Sequence, residues 1–284
     1  MTLVCYNGPM DKLKPTQNNP LRKVFGPITD GTAKFLIKAI PGIKADHITY
    51  AGLGLTVLGS FTRFMIPERL LSQTGISNVS LGLMLFGILC DGIDGAVARN
   101  SEKPEGYHEL EGMLTDVVHN RLGETAMATS RIFAAGIRHD PVGIALATVA
   151  GITSPLPSLY RAKSEAEGSK VSEAGSNPLA KLGTRVPRAI FAMAGTAFPQ
   201  VDINGVDAPI QPVADFLSSV GNIASLVERF RVHKKVLRGE IKKNLSEQDQ
   251  YFGAEKVKRL LPYSVINAII LLGSATASLM LSMK

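Results

Sequence analysis

Asp91 and Asp94 stand three residues apart at the end of an apolar run, in the string Leu89-Cys90-Asp91-Gly92-Ile93-Asp94-Gly95-Ala96-Val97-Ala98-Arg99. Residues three apart share a helix face, so this spacing points both carboxylates the same way. Charges at the end of an apolar helix are costly unless paired or metal-bound. Gly95 and Ala98 lack bulk and let a ligand or a second backbone come close. Arg99 adds a planar donor fork suited to phosphate. Farther on, Gly112, Asp116, Asn120 and Glu124 recur at every fourth residue and again share a face. If the two helices run antiparallel, the two polar faces meet. Oxygen donors so arranged suit a hard divalent cation, Mg²⁺ or Mn²⁺, shared with substrate phosphates. Such a site can bridge a diphosphate, stabilise a leaving phosphate and acidify a nucleophile's hydroxyl. Any one of these carboxylates alone is more simply a helix-end charge or an internal salt bridge; the whole set carries the chemistry.

The elements that must position these residues are apolar. The chain has 284 residues, 45% of them hydrophobic, and the apolar ones fall into runs. Clear runs are 47–64, 79–90, 142–160, 210–227 and 263–283, with weaker ones at 121–137 and 189–199. Runs near twenty residues are long enough to cross a hydrocarbon core as helices. The expectation is an all-α integral membrane protein rather than a soluble helical protein with buried core helices.

Charge placement supports this. If the run from His47 starts on the cytoplasmic side, that side collects Lys12, Lys14, Arg22, Lys23, Lys34, Lys38 and Lys44. It also collects Arg161, Lys163, Lys170, Lys181, Arg185 and Arg188, then the cations from Arg229 to Lys243. The opposite side receives Arg63, Arg69 and Arg138, and 200–212 carries no Lys or Arg. Such a bias orients a membrane protein. The net charge of +7 is therefore read as topology, with no nucleic-acid partner, and a basic face also favours anionic lipid and phosphorylated substrates. Cys5 and Cys90 form neither a metal-ligand spacing nor a disulfide framework. The N-terminus lacks the apolar core of a signal peptide, so no cleaved targeting segment is expected.

Three regions follow. Residues 1–45 comprise a polar arm and then a mixed apolar and basic stretch (Leu21, Val24, Phe25, Ile28, Phe35 and Leu36 among Arg22, Lys23, Lys34 and Lys38). That mix reads as an interfacial amphipathic helix, broken near Gly26-Pro27. Residues 46–238 hold the spans and the acidic constellation. Residues 239–284 continue a charged helical stretch, 228–259, into a last apolar run whose Gly273, Ala275, Ala277 and Ser278 suit helix contact. The Ser/Gly/Ala/Glu stretch 164–184 reads as a cytoplasmic loop.

The string D-x-x-D-G-x-x-A-R…G-x-x-x-D-x-x-x-D is the signature of the CDP-alcohol phosphatidyltransferases, and this chain resembles that family. Asp91, Asp94, Gly95, Ala98, Arg99, Gly112 and Asp116 match it. Lys44-Ala45-Asp46-His47-Ile48-Thr49 is similar to the polar segment before the family's first span. The likeness extends more weakly from about Leu21 to Arg238. It implies a six-span bundle with an interfacial helix, a homodimer, and a CDP-diacylglycerol-type donor bound at the cytoplasmic face of the cytoplasmic (inner) membrane, with CMP leaving. It further implies two metal ions, with Asp91, Asp94, Asp116 and Asn120 as ligands. Thr49, Asp91, Gly95, Ala98, Arg99 and Gly112 would then lie against the donor. On this pattern the run 263–283 is an added helix.

Two features depart from the family. Twelve residues lie between Arg99 and Gly112, a longer loop than is usual there. The family's last carboxylate, its general base, is Asn120 here, and an amide cannot accept a proton at neutral pH. Position 120 leaves three possibilities open. The protein retains donor or metal binding without turnover; or His119 or Glu124, each within a turn of Asn120, acts as base; or metal activation of the acceptor suffices.

For the acceptor, Tyr160-Arg161-Ala162-Lys163 is similar to the segment after the fourth span in prokaryotic members that use inositol phosphate. Arg161 and Lys163 match its phosphate-binding pair, and Arg185, Arg188 and Arg229 match further basic positions. Several converging cations suit a dianionic acceptor, so the resemblance implies inositol phosphate first and glycerol 3-phosphate second. Cytoplasmic loops are rich in Lys and Arg in any case. Two other functions compete: an intramembrane prenyltransferase, which lacks support in a second Asp-x-x-x-Asp motif, and a membrane protein that binds nucleotide-lipid without turning it over.

Overall fold

The computed structural model describes residues 20–66, 70–101, 109–168, 178–182, 184–198, 201–203, 206–239 and 245–283. In chain order the helices are α1 (Pro20–Ala39), α2 (Ala45–Met65), α3 (Gln73–Asn100), α4 (Glu109–Ile137), α5 (Pro141–Thr153), α6 (Leu156–Ala166), α7 (Pro178–Leu182) and α8 (Arg185–Ala197). A short hairpin follows, β1 (Val201–Ile203) and β2 (Val206–Ala208), then α9 (Ile210–Leu237) and α10 (Glu247–Ser282). The strands pair antiparallel with Val201 opposite Ala208 and Ile203 opposite Val206.

Among the described residues, three helical stretches are long and apolar enough to cross a membrane: Gln73–Asn100, Pro141–Ala166 (α5 and α6 together) and Asp249–Ser282. The remaining long helices carry more polar residues, and where those residues sit is informative. α9 buries Gln211, Asp215, Ser218, Ser219, Asn222, Ser225 and Arg229. It exposes Val213, Phe216, Ile223, Val227 and Phe230. α2 likewise buries Thr56, Ser60 and Thr62 and exposes Tyr50, Leu58, Phe64 and Met65. Large apolar residues outside and small or polar ones inside invert the ordinary soluble pattern. They fit helices that meet one another through close backbone approach and hydrogen bonds.

The seam between α2 and α3 shows that close approach. A Cβ on Gly87 would lie 2.7 Å from the Gly52 carbonyl oxygen, and one on Gly59 would lie 2.9 Å from that of Ser80. No side chain larger than hydrogen fits at these contacts. Ser80 Oγ donates to the Gly59 carbonyl at 2.7 Å across the same seam. This contact places the acidic end of α3 beside the start of α2.

Deeper in the bundle, Arg131 on α4 pairs with Asp215 on α9 at 2.8 Å, both almost fully buried. Arg131 also donates to the Ala192 carbonyl and to Thr196 on α8, while Asp215 Oδ2 is buried without a hydrogen-bond partner. Arg131→Met is therefore expected to lose about 3 kcal/mol of stability, because it strands a buried carboxylate. The double variant Arg131→Met/Asp215→Leu should regain most of that loss. Thermal unfolding in detergent checks both.

Several sequence expectations change. α1 runs unbroken through Gly26-Pro27 rather than stopping there; Thr29 Oγ1 donates to the Gly26 carbonyl at 3.0 Å, satisfying a group in that turn. Its Ala33 is buried against Ile48, Ala96 and Val97, while Ile28 and Phe35 face outward. The stretch 228–259 is not one helix: α9 ends at Leu237, and Gly239 turns the chain with φ +73°, a conformation glycine adopts without strain. Within 164–184, α6 continues to Ala166 and α7 is helical. The hairpin in 200–212 was not anticipated.

The last helix is integral to the bundle. α10 packs along α4, α5 and α6, with Leu260, Asn267, Leu271 and Ser278 buried. A Cβ on Gly136 of α4 would lie 2.7 Å from Ser278 Cβ, so the helices touch there.

Candidate active site

α2, α3, α4 and α8, with Gly26 and Thr29 of α1, line a half-open cavity of about 570 Å³. Its lining combines the polar residues Thr49, Asp91, Asp94, Arg99, His119, Asn120 and Glu124 and the small Gly95 with the apolar Leu53, Ile88, Met127, Ile190 and Met193. The two separate acidic stretches of the sequence thus share one cavity.

Within it, Asp94 is 7% exposed. Its Oδ2 accepts a hydrogen bond from Thr49 Oγ1 at 2.6 Å, and its Oδ1 accepts one from the Gly95 backbone N–H. Asn120 Nδ2 donates to Asp91 Oδ1 at 2.9 Å, which joins α4 to α3 at the site. His119 lies edge-on to Tyr50, with ring centroids 4.6 Å apart. Arg99, at the cavity mouth, pairs with Asp30 of α1 at 3.0 Å; both side chains are about half exposed. Exposed pairs of this kind contribute about 0–1 kcal/mol, so an anionic ligand can take Arg99 from Asp30 at little cost.

Glu124 is engaged differently. Its carboxylate pairs with Arg188 at 3.0 Å and with Arg121 at 2.5 Å, and it accepts a hydrogen bond from Ser154 Oγ. Through these contacts Glu124 ties α4 to the end of α5 and to α8.

The acceptor-phosphate candidates are more scattered. Arg161 pairs with Glu165 at 2.9 Å, and Lys256 of α10 reaches the same carboxylate at 3.0 Å. Lys163 is exposed. Arg188 donates to Glu124 and the Ser154 carbonyl, and Arg229 Nη1 donates to the Pro157 carbonyl at 2.6 Å. These four do not line the cavity; Arg188 reaches its wall only through Glu124. Ala98 sits on α3, also outside the lining. Gly112 and Asp116 lie in the first turns of α4, and Arg185 opens α8; their side chains lie outside the described residues.

Among the described residues no three His, Cys, Asp or Glu side chains are grouped to hold a metal ion. The described part of the expected set, carboxylates of Asp91 and Asp94 with the amide of Asn120, is made of oxygen donors on one wall. That chemistry fits a hard divalent cation. Sequence reasoning missed the partners that fix this wall: Asp30 for Arg99, Arg188 for Glu124, and the Gly52, Thr56 and Gly123 lining. Only the small-residue spacing of α2, glycine or threonine at 52, 56 and 59, signals any of them in one sequence.

No protein-family model matches this chain, and no curated protein matches it. The fold and the site therefore define the class by themselves: a helical protein with membrane-length apolar helices and, between helices, a mainly apolar cavity that carries three carboxylates.

Proposed function

We propose that the protein is a CDP-alcohol phosphatidyltransferase, moving a phosphatidyl group from a CDP-diacylglycerol-type donor to a phosphorylated polyol with release of CMP. In this reading α2, α3, α4, α5–α6, α8 and α9 form the six spans, α1 lies in the cytoplasmic interface, α10 is an added helix, and the chain works as a homodimer in the inner membrane. The observation that carries it is the cavity lining where Asp91, Asp94, Gly95 and Arg99 of the signature meet Thr49 and Asn120. The apolar part of the lining suits a donor with a polar head and hydrocarbon tails. The inverted faces of α2 and α9 support spans that mean hydropathy alone would not count.

Asp91, Asp94, Asp116 and the Asn120 amide oxygen would hold the divalent ions. Bound there, such ions neutralise a diphosphate and favour its leaving group. The protein's own share is then as follows. Arg99 exchanges Asp30 for a phosphate oxygen, and Gly95 leaves room for the ligand's backbone-side approach. Thr49 orients Asp94 through its hydrogen bond. Asn120 cannot take the acceptor's proton. With Glu124 held by two arginines, His119 is the better placed of the two alternative bases. Inositol phosphate is the preferred acceptor and glycerol 3-phosphate the next.

The test is CMP release by purified protein in detergent, with CDP-diacylglycerol, Mg²⁺ and either acceptor. Release that depends on acceptor establishes the transferase and names its substrate. Silence from this protein and from Asn120→Asp alike rejects it for these substrates. A second reading, nucleotide-lipid binding without turnover, is favoured by Asn120 itself; CMP binding without release would select it.

A further inference from the structure

α10 lies outside the six-span pattern, yet its contacts gather next to the cavity. Tyr263 OH donates to the Arg121 carbonyl at 2.6 Å and lies within hydrogen-bond reach of Thr125 Oγ1. Thr125 Oγ1 donates to Asn267 Oδ1 at 2.6 Å, and Asn267 Nδ2 donates to the Gly151 carbonyl of α5 at 3.2 Å. Asn267 is 2% exposed. Two side chains one turn apart on α10 therefore grip the turn 121–125 of α4 and bind it to α5. That turn begins at the residue after Asn120 and contains Glu124.

A buried asparagine is costly unless its amide is bonded at both ends, and here both ends are used on neighbouring helices. If α10 only anchored the chain in lipid, apolar packing such as that of Leu271 against Ala128 and Ile144 would suffice. The polar contacts instead set the rotation of α4, and that rotation decides whether the Asn120 amide faces Asp91 and the Glu124 carboxylate faces Arg188.

We propose that Tyr263 and Asn267 are positioning residues for the cavity: α10 holds the α4 face of the site against α3. For its ligand-bound consequence this rests on the nucleotide-lipid reading above. The juxtaposition itself does not depend on any ligand.

The test compares Tyr263→Phe and Asn267→Leu with Leu271→Ala, which damages α10 packing against Ala128 and Ile144 while keeping both polar contacts with the 121–125 turn. Two readouts are made on the full chain. One is CMP affinity with Mg²⁺, expected to weaken about tenfold in Tyr263→Phe, as for loss of a buried hydrogen bond, and to stay unchanged in Leu271→Ala although that variant melts earlier. The other needs no ligand: the rate of disulfide formation between Asp91→Cys and Asn120→Cys, with Cys5 and Cys90 replaced by Ser. It is expected to fall in Tyr263→Phe and Asn267→Leu and to hold in Leu271→Ala. Cross-linking that is equal in all variants, or that falls equally in Leu271→Ala, overturns the proposal. If the unsubstituted protein binds no CMP, the transferase reading fails while cross-linking still decides the role of α10. Tyr263→Phe removes one oxygen atom, so folding is preserved even if Asn267→Leu proves unstable.

Discussion

Asp94→Asn is expected to reduce CMP release by on the order of 1,000-fold, the scale of losing a preorganised electrostatic group, while leaving the protein folded. The expectation follows from how Asp94 is held. Its side chain is buried, and its two oxygens accept from Thr49 and from the Gly95 backbone. Asparagine keeps the shape and one carbonyl oxygen, so the Thr49 bond survives through the amide oxygen. The amide nitrogen then faces the Gly95 N–H, at the cost of one hydrogen bond, about 1 kcal/mol. What disappears is the negative charge facing the cavity. Melting temperature and CMP release measured on the same preparation separate the two effects. A variant retaining activity within about tenfold of the parent would place the chemistry elsewhere.

Asn120→Asp should act in the opposite direction. A general base contributes about 100-fold or more, so CMP release is expected to rise by at least that factor, or to appear where it was undetectable. The geometry adds a signature independent of turnover. Asn120 Nδ2 now donates to Asp91 Oδ1 at 2.9 Å; an aspartate there would oppose two carboxylates at hydrogen-bond distance. Like charges so placed disfavour the ionised pair. The variant should therefore melt earlier than the parent in chelator and regain stability as Mg²⁺ is added, by about 2.7 kcal/mol at a hundredfold excess over Kd. The parent, whose amide already satisfies Asp91, should respond less. A variant whose melting is indifferent to Mg²⁺ would mean that the Asp91–Asn120 contact is not part of a metal site.

Membrane-length apolar runs and the acidic wall were both readable in one sequence, for related reasons. A run near twenty residues needs no partner to be recognised, and Asp91, Asp94 and Asn120 sit at helical spacings that force shared faces. α2 and α9 were also readable as apolar runs, although their Thr, Ser, Asn and Asp residues lower their hydropathy; only packing shows that those groups turn inward. The hairpin at 201–208 had a local signal, Asn204-Gly205 between alternating Val and Asp residues, a pattern known to favour tight hairpins.

The basic residues show the limit most clearly. Arg161, Lys163, Arg185, Arg188 and Arg229 form one phosphate-binding set only by resemblance to the family's basic positions. Which cation meets which anion depends on side chains from distant helices, and Arg161 and Arg188 meet Glu165 and Glu124. Spacing along a helix determined by itself which oxygens could share a face, because helical periodicity is local. Whether α4 turns that face toward α3, and which partners Glu124 meets, was decided only by the packing of α5, α8 and α10 around it. Interhelical hydrogen bonds and ion pairs join residues up to about 140 positions apart, as between Arg121 and Tyr263, and no local rule in the chain specifies those partners.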